Sequence, residues 1–147
     1  MRKLTLIALA AMAACATVQA EPRYVELRCD VATNAAFAID SEAVSGRVLE
    51  ILIQGPSQAG VTANVSVVMI PFHGSNMVAT VLATNETLTA SQLFRPRIVP
   101  TGTSGSALSS LTVAEPVLCV GDTMRFLVTQ TSAQVTTVVF KAWAKIE

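Results

Sequence analysis

Apolar and polar side chains alternate along most of this chain with a period of two. From Arg23 to Val31 the residues Val25, Leu27, Cys29 and Val31 fall on one face, and Glu26, Arg28 and Asp30 on the other. That is the pattern of a half-buried strand. Phe37 and Ile39 alternate in a second short run, ended by Asp40-Ser41-Glu42. Gly46 opens a third, Arg47 to Ile53, in which Leu49, Ile51 and Ile53 share a face. The stretch Gln54 to Gly60 is a turn by composition, because Gly and Pro punctuate strands.

Val61 to Ile70 resumes the alternation, with Val61, Ala63, Val65, Val67 and Met69 opposed to Thr62, Asn64 and Ser66. Pro71 stops it, and after the loop from Phe72 to Asn76 another run extends from Met77 to Thr84. Leu93 to Val99 is extended as well, although Pro96 restricts it to an edge or irregular segment. Thr101 to Ser110, rich in Gly, Ser and Thr, is the longest loop-like stretch. Val113 to Val120 runs into a Gly121-Asp122 turn, followed by strands from Thr123 to Gln130 and from Val135 to Ile146. Past the leader, no segment carries the 3.6-residue stripe of an amphipathic helix. About eight or nine short strands at this spacing predict an all-β fold, an antiparallel β-sandwich of jelly-roll or immunoglobulin-like topology.

The first twenty residues break the pattern. Met1-Arg2-Lys3 is a short positive end, Leu4 to Cys15 is almost wholly apolar, and Val18-Gln19-Ala20 places short side chains before Glu21. This is the layout of a signal peptide cut between Ala20 and Glu21. Its apolar run is about twelve residues, short of the ~20 needed to cross a bilayer. The expectation is residues 1–20 as signal peptide and 21–147 as a single domain, periplasmic or extracellular, with no stable membrane span after cleavage. A rival reading takes Met12-Ala13-Ala14-Cys15 as a loose bacterial lipobox with Cys15 as the lipid-bearing residue.

Cleavage changes the charge. Ten basic side chains less Arg2 and Lys3 leave eight against ten acidic ones, a net charge of −2. No basic patch survives to neutralise phosphates, which argues against nucleic acid as a partner. Arg95-Pro96-Arg97 is the one local basic cluster. It reads either as a contact for an anionic partner or as a solvated edge whose proline discourages strand addition. Cleavage would also discard Cys15, leaving Cys29 and Cys119 as an even pair in a compartment that permits oxidation. A disulfide between them and two separate buried thiols are both open readings.

Chemistry is sparse. The single histidine, His73, falls in a loop, and no serine stands in a Gly-x-Ser-x-Gly elbow. Asp40, Glu42, Glu86, Glu115 and Asp122 are scattered carboxylates beside turn residues, and they read as solvated or capping groups rather than a glycosidase pair. Asn64-Val65-Ser66 and Asn85-Glu86-Thr87 match the glycosylation acceptor pattern, as chance allows in a chain rich in Thr and Ser. One constellation has a ligand chemistry: Met69, His73 and Met77 are spaced four apart, and thioether with imidazole suits Cu(I). The simpler reading places Met69 and Met77 in the core and His73 in a hairpin loop.

The segment from Ser45 to Ile146 resembles small β-sandwich proteins of unassigned function found in tailed-phage genomes. The resemblance rests on Ser45-Gly46-Arg47-Val48-Leu49-Glu50-Ile51, on Phe94-Arg95-Pro96-Arg97 before a Gly/Ser loop, and on Val120-Gly121-Asp122-Thr123-Met124-Arg125-Phe126. It implies an accessory virion or surface component and brings no catalytic residues. The leader is the departure, since such proteins ordinarily lack one. The expected function is therefore that of an exported, non-enzymatic structural or surface-binding protein, without cofactor. Contact would be with a protein or surface partner, or with further copies of itself. The alternative is a periplasmic metal- or ligand-binding protein using Met69, His73 and Met77.

Overall fold

The computed structural model describes residues 21–32, 35–72, 79–98, 115–132 and 137–147. Among them are eight strands and no helix: β1 (Arg23–Val31), β2 (Ala36–Gln54), β3 (Ala63–Ile70), β4 (Thr80–Leu88), β5 (Gln92–Phe94), β6 (Arg97–Ile98), β7 (Glu115–Gln130) and β8 (Val138–Ile146). Every pairing is antiparallel. The strand order is β1-β8-β2-β7-β3-β4, with β5 added on β2 and β6 on β7.

The sheet folds back on itself because β2 serves two partners in succession. Its first part, Ala36 to Val48, pairs with β7, and its second, Val48 to Gln54, pairs with β8. The Sγ of Cys29 on β1 reaches the Phe126 carbonyl oxygen of β7 at 3.9 Å, although those strands share no ladder. The β1 and β7 layers therefore face each other across the core, and the arrangement is sandwich-like. Between them lie Phe126, Phe140, Leu27, Ile51, Ile53 and Leu88, each buried. Burying side chains of this size stabilises the fold by roughly 1.5–3 kcal/mol apiece.

β1 spans the predicted strand, with Leu27, Cys29 and Val31 buried and Glu26, Arg28 and Asp30 exposed. β3 likewise buries Ala63, Val65, Val67 and Met69. Elsewhere the pattern misleads in an instructive way. Asp40-Ser41-Glu42 does not end a strand: β2 runs straight through it. An extra residue of β2 is accommodated between Asp40 and Ala43, where Asp40 pairs with Arg125 and Ser41 Oγ accepts the Met124 N–H at 3.0 Å. Nor is Gly121-Asp122 a hairpin turn, since β7 continues past it. Gly121, at φ +69, is an extra residue on β7 between the Val44–Asp122 and Ser45–Val120 pairs, and its N–H donates to Ser45 Oγ at 2.8 Å. A glycine in that left-handed conformation is what a bulge of this kind requires. The two bulges lie on opposite strands, so the second restores the register that the first displaces.

A further shift between Val48 and Glu50 places Val48, rather than Leu49, on the buried face with Ile51 and Ile53. Of the run expected from Met77 to Thr84, Met77 and Val78 lie outside the described residues, and the rest enters β4, which begins at Thr80, extends to Leu88 and pairs with β3. Pro96 splits the Leu93–Val99 segment: β5 before it pairs with β2, and β6 after it pairs with β7.

Candidate functional site

The charged side chains are displayed on outer faces and largely neutralise one another. Among the described residues the ion pairs are Arg28–Asp30 at 3.2 Å, Arg95–Glu50 at 3.1 Å, Arg125–Asp40 at 2.6 Å and Lys141–Glu26 at 3.1 Å. Arg125 grips Asp40 with two nitrogens, and this hydrogen bonding holds the Asp40 carboxyl below its ordinary range. Of the other carboxylates singled out in the sequence, Asp122 caps backbone: it accepts the Val120 N–H at 2.9 Å and the Phe72 N–H at 3.1 Å. Glu86 and Glu115 are exposed. Among the described residues, no cluster of three or more His, Cys, Asp or Glu side chains could hold a metal ion.

The basic cluster folds onto its own chain. Arg95 Nε donates to Glu50, while Arg97 Nη1 donates to the Leu49 carbonyl at 3.3 Å and the Pro96 carbonyl at 2.8 Å. Asn85 is engaged too, donating to Gln92 Oε1 at 2.6 Å and accepting the Thr87 N–H at 2.7 Å.

Cys29 and Cys119 stand as two buried thiols with separate partners. Cys29 approaches the Phe126 carbonyl, and Cys119 Sγ lies 3.2 Å from Met69 Sδ. Burial pushes each thiol pKa from 9.0 up to about 11, with smaller contributions from Asp30 at Cys29 and Asp122 at Cys119. Both are held as neutral thiols at physiological pH, which disfavours nucleophilic chemistry. Met69 is buried on β3. His73 and Met77, the Thr101–Ser110 loop, Cys15 and Ala20 lie outside the described residues. Glu21 is the first that is described, and it is exposed.

What the sequence pattern passes over is an aromatic surface. Tyr24 on β1 is opposite Lys145 on β8, and Glu26 is opposite Trp143 two residues away. Directly opposed residues of an antiparallel pair point to the same side. The other edge of β8 brings Glu50 opposite Lys145 and Leu52 opposite Trp143, and β5 adds Leu93 opposite Leu52. The result is a hollow of about 320 Å³ lined by Tyr24, Glu50, Leu52, Leu93, Trp143 and Lys145. Tyr24 is 65% exposed and Leu93 53%. The chain's one tyrosine and one tryptophan thus meet on the outer face of the sheet. The signal was present in the sequence, since both interrupt otherwise charged outer positions. A second, more polar hollow of about 400 Å³ lies beside it between Arg23, Glu26, Asp40 and Glu42. Apolar side chains also project from the first part of β7, where Leu118 is 57% and Val120 62% exposed.

No known protein family's profile matches the chain, and no curated protein matches it in sequence. Among solved structures, it is similar to that of infectious bursal disease virus Gx strain, with 16% identity over 86% of this chain and 32% of the other, at a TM-score of 0.36. The infectious bursal disease virus Gt strain gives 13% identity, 88% and 42% coverage and a TM-score of 0.28. T=1 particles derived from the same virus give 14% identity, 86% and 39% coverage and a TM-score of 0.27. The chain spans less than half the length of each of these chains.

Proposed function

We infer that this protein is an exported, non-enzymatic β-sandwich that acts by surface contact, as a structural or binding module of the accessory virion type. The observation that carries the reading is the display of aromatic and aliphatic side chains on outer sheet faces. Tyr24, Leu52, Leu93 and Trp143 form one such surface, and Leu118 with Val120 another. Paired strands hold these groups in place, so a partner meets a largely pre-formed surface, which limits the ordering cost of contact. Exposed apolar side chains grouped in this way mark interaction sites more often than those scattered singly. The resemblance of Ser45 to Ile146 to tailed-phage sandwich proteins supports the virion-type form of the reading, and the leader supports export.

The test is mass spectrometry on periplasm, culture medium and gradient-purified particles from the native producer. Recovery in particles at structural stoichiometry supports the virion-type reading. Recovery only as a soluble chain beginning at Glu21 removes it and leaves secreted binding.

A further inference from the structure

We propose that the hollow between Tyr24 and Trp143 is a binding site for an acidic saccharide, a pyranose ring bearing a carboxylate. The proposal rests on the surface-contact reading and names the chemistry of the surface contacted. Three features of the hollow select this ligand class.

The first is its apolar lining. Tyr24, Leu52, Leu93 and Trp143 offer one small hollow, at the lower end of the size range of small-molecule sites (roughly 300–1,000 Å³). The apolar C–H face of a sugar ring can lie against such side chains. Lys141 Nζ lies over the Trp143 ring, 5.6 Å from its centroid, and is tied to Glu26 at 3.1 Å. Lys141 does not line the hollow.

The second is polar capacity left open around those side chains. Arg95 occupies Oε1 of Glu50, leaving Oε2 with no hydrogen bond among the described residues. The Tyr24 hydroxyl is likewise unpartnered among them. A carboxylate that accepts and a phenol that can donate or accept suit the hydroxyls of a sugar. A purely aromatic or aliphatic acid would leave both to water.

The third is charge. The lining of the hollow holds one cation, Lys145, and one carboxylate, Glu50. Lys141 is paired with Glu26, and Arg95 with Glu50. Lys145 is half-buried on the wall of the hollow and has no ion-pair partner among the described residues. It is the group left to meet a ligand carboxylate.

Trp143 makes the test direct, because the chain contains one tryptophan. The protein expressed from its full chain is titrated with oligogalacturonate and with a neutral galacto-oligosaccharide of equal length, following tryptophan fluorescence. A saturable change with the acidic sugar is expected, with the neutral sugar about tenfold weaker. Lys145→Met should erase that difference, and Tyr24→Ala should weaken both sugars by about threefold to tenfold. Circular dichroism confirms that each variant is folded. Equal affinity for both sugars, or binding indifferent to both substitutions, overturns the proposal. So does the absence of any saturable change. If in that last case a photo-reactive group at Leu93 still captures a protein, the surface-contact reading stands while the saccharide is excluded.

Discussion

The Sγ of Cys119 lies 3.2 Å from the Sδ of Met69, one sulfur on β7 and the other on β3. The contact joins two strands within the buried interior and seals the thiol from solvent. Cys29 is sealed in the same way on β1, beneath Phe126. Reactivity follows thiolate character and access, and both are suppressed here. In the folded protein, iodoacetamide at about pH 8 should leave both cysteines unmodified, since their pKa values lie near 11. In urea without reductant both should be alkylated, as intact mass would show. Rapid labelling of the folded chain would contradict their burial, and no labelling in urea would reveal a bridge.

Those raised values also set a pH dependence. The folded state retains the Cys29 and Cys119 protons to about 11, whereas the ordinary thiol value is 9.0. Folding then binds more protons than unfolding between those limits, so stability is intact below pH 9.0 and falls as pH rises toward 11. Thermal unfolding followed across that interval should show a falling Tm. A Cys29→Ala, Cys119→Ala double variant should show a shallower decline, whatever its starting stability. Parallel curves for the two proteins would remove the thiols as the cause.

Gly46 pairs with Cys119 of β7, two residues before β2 takes up β8 at Val48. Its φ is +132, and an added Cβ would come within 2.6 Å of the Glu147 carbonyl oxygen and 2.7 Å of Ile146 Cγ2. Both clashing groups belong to the chain that pairs with Arg47, whose N–H donates to that same Glu147 oxygen at 2.8 Å. Gly46→Ala should therefore destabilise by about 1–3 kcal/mol from backbone strain alone, with the clash adding to it. Urea unfolding measures this, and an unchanged midpoint would show that the strand passes Gly46 by another route.

Inside and outside positions should separate sharply under substitution. Phe126→Ala removes a wholly buried ring from the middle of the core and should cost about 3–5 kcal/mol. Tyr24→Ala removes a ring that is 65% exposed and should change stability by no more than about 0.5 kcal/mol. Equal losses at the two positions would mean that the aromatic face is covered in the folded protein.

Much of the fold was legible because alternation reports which face of a strand is buried. β1 and β3 follow from it directly: Leu27, Cys29 and Val31 point inward as their spacing demands, as do Ala63, Val65, Val67 and Met69. The failures cluster at bulges. Asp40-Ser41-Glu42 and Gly121-Asp122 have the composition of turns, yet each accommodates an extra residue within a long strand. Local composition does not distinguish a turn from a bulge; the neighbouring strand decides. Arg125 gripping Asp40 and Ser45 accepting the Gly121 N–H are contacts across 85 and 76 residues. The candidate site was missed for the same reason. Tyr24, Leu52, Leu93 and Trp143 lie on four different strands, and only strand order and register bring them to one hollow.

The claim that the protein acts by contact through this outer face is tested most directly by photo-crosslinking in the producing cells. A photo-reactive residue replaces Leu93 in the hollow and, in a second variant, Ser66 on β3 as a control. Partner adducts should form from position 93 and be lost when Tyr24→Ala and Leu52→Asp are added. Adducts equally abundant from position 66, or none from position 93, would contradict the assignment of this face as the working surface.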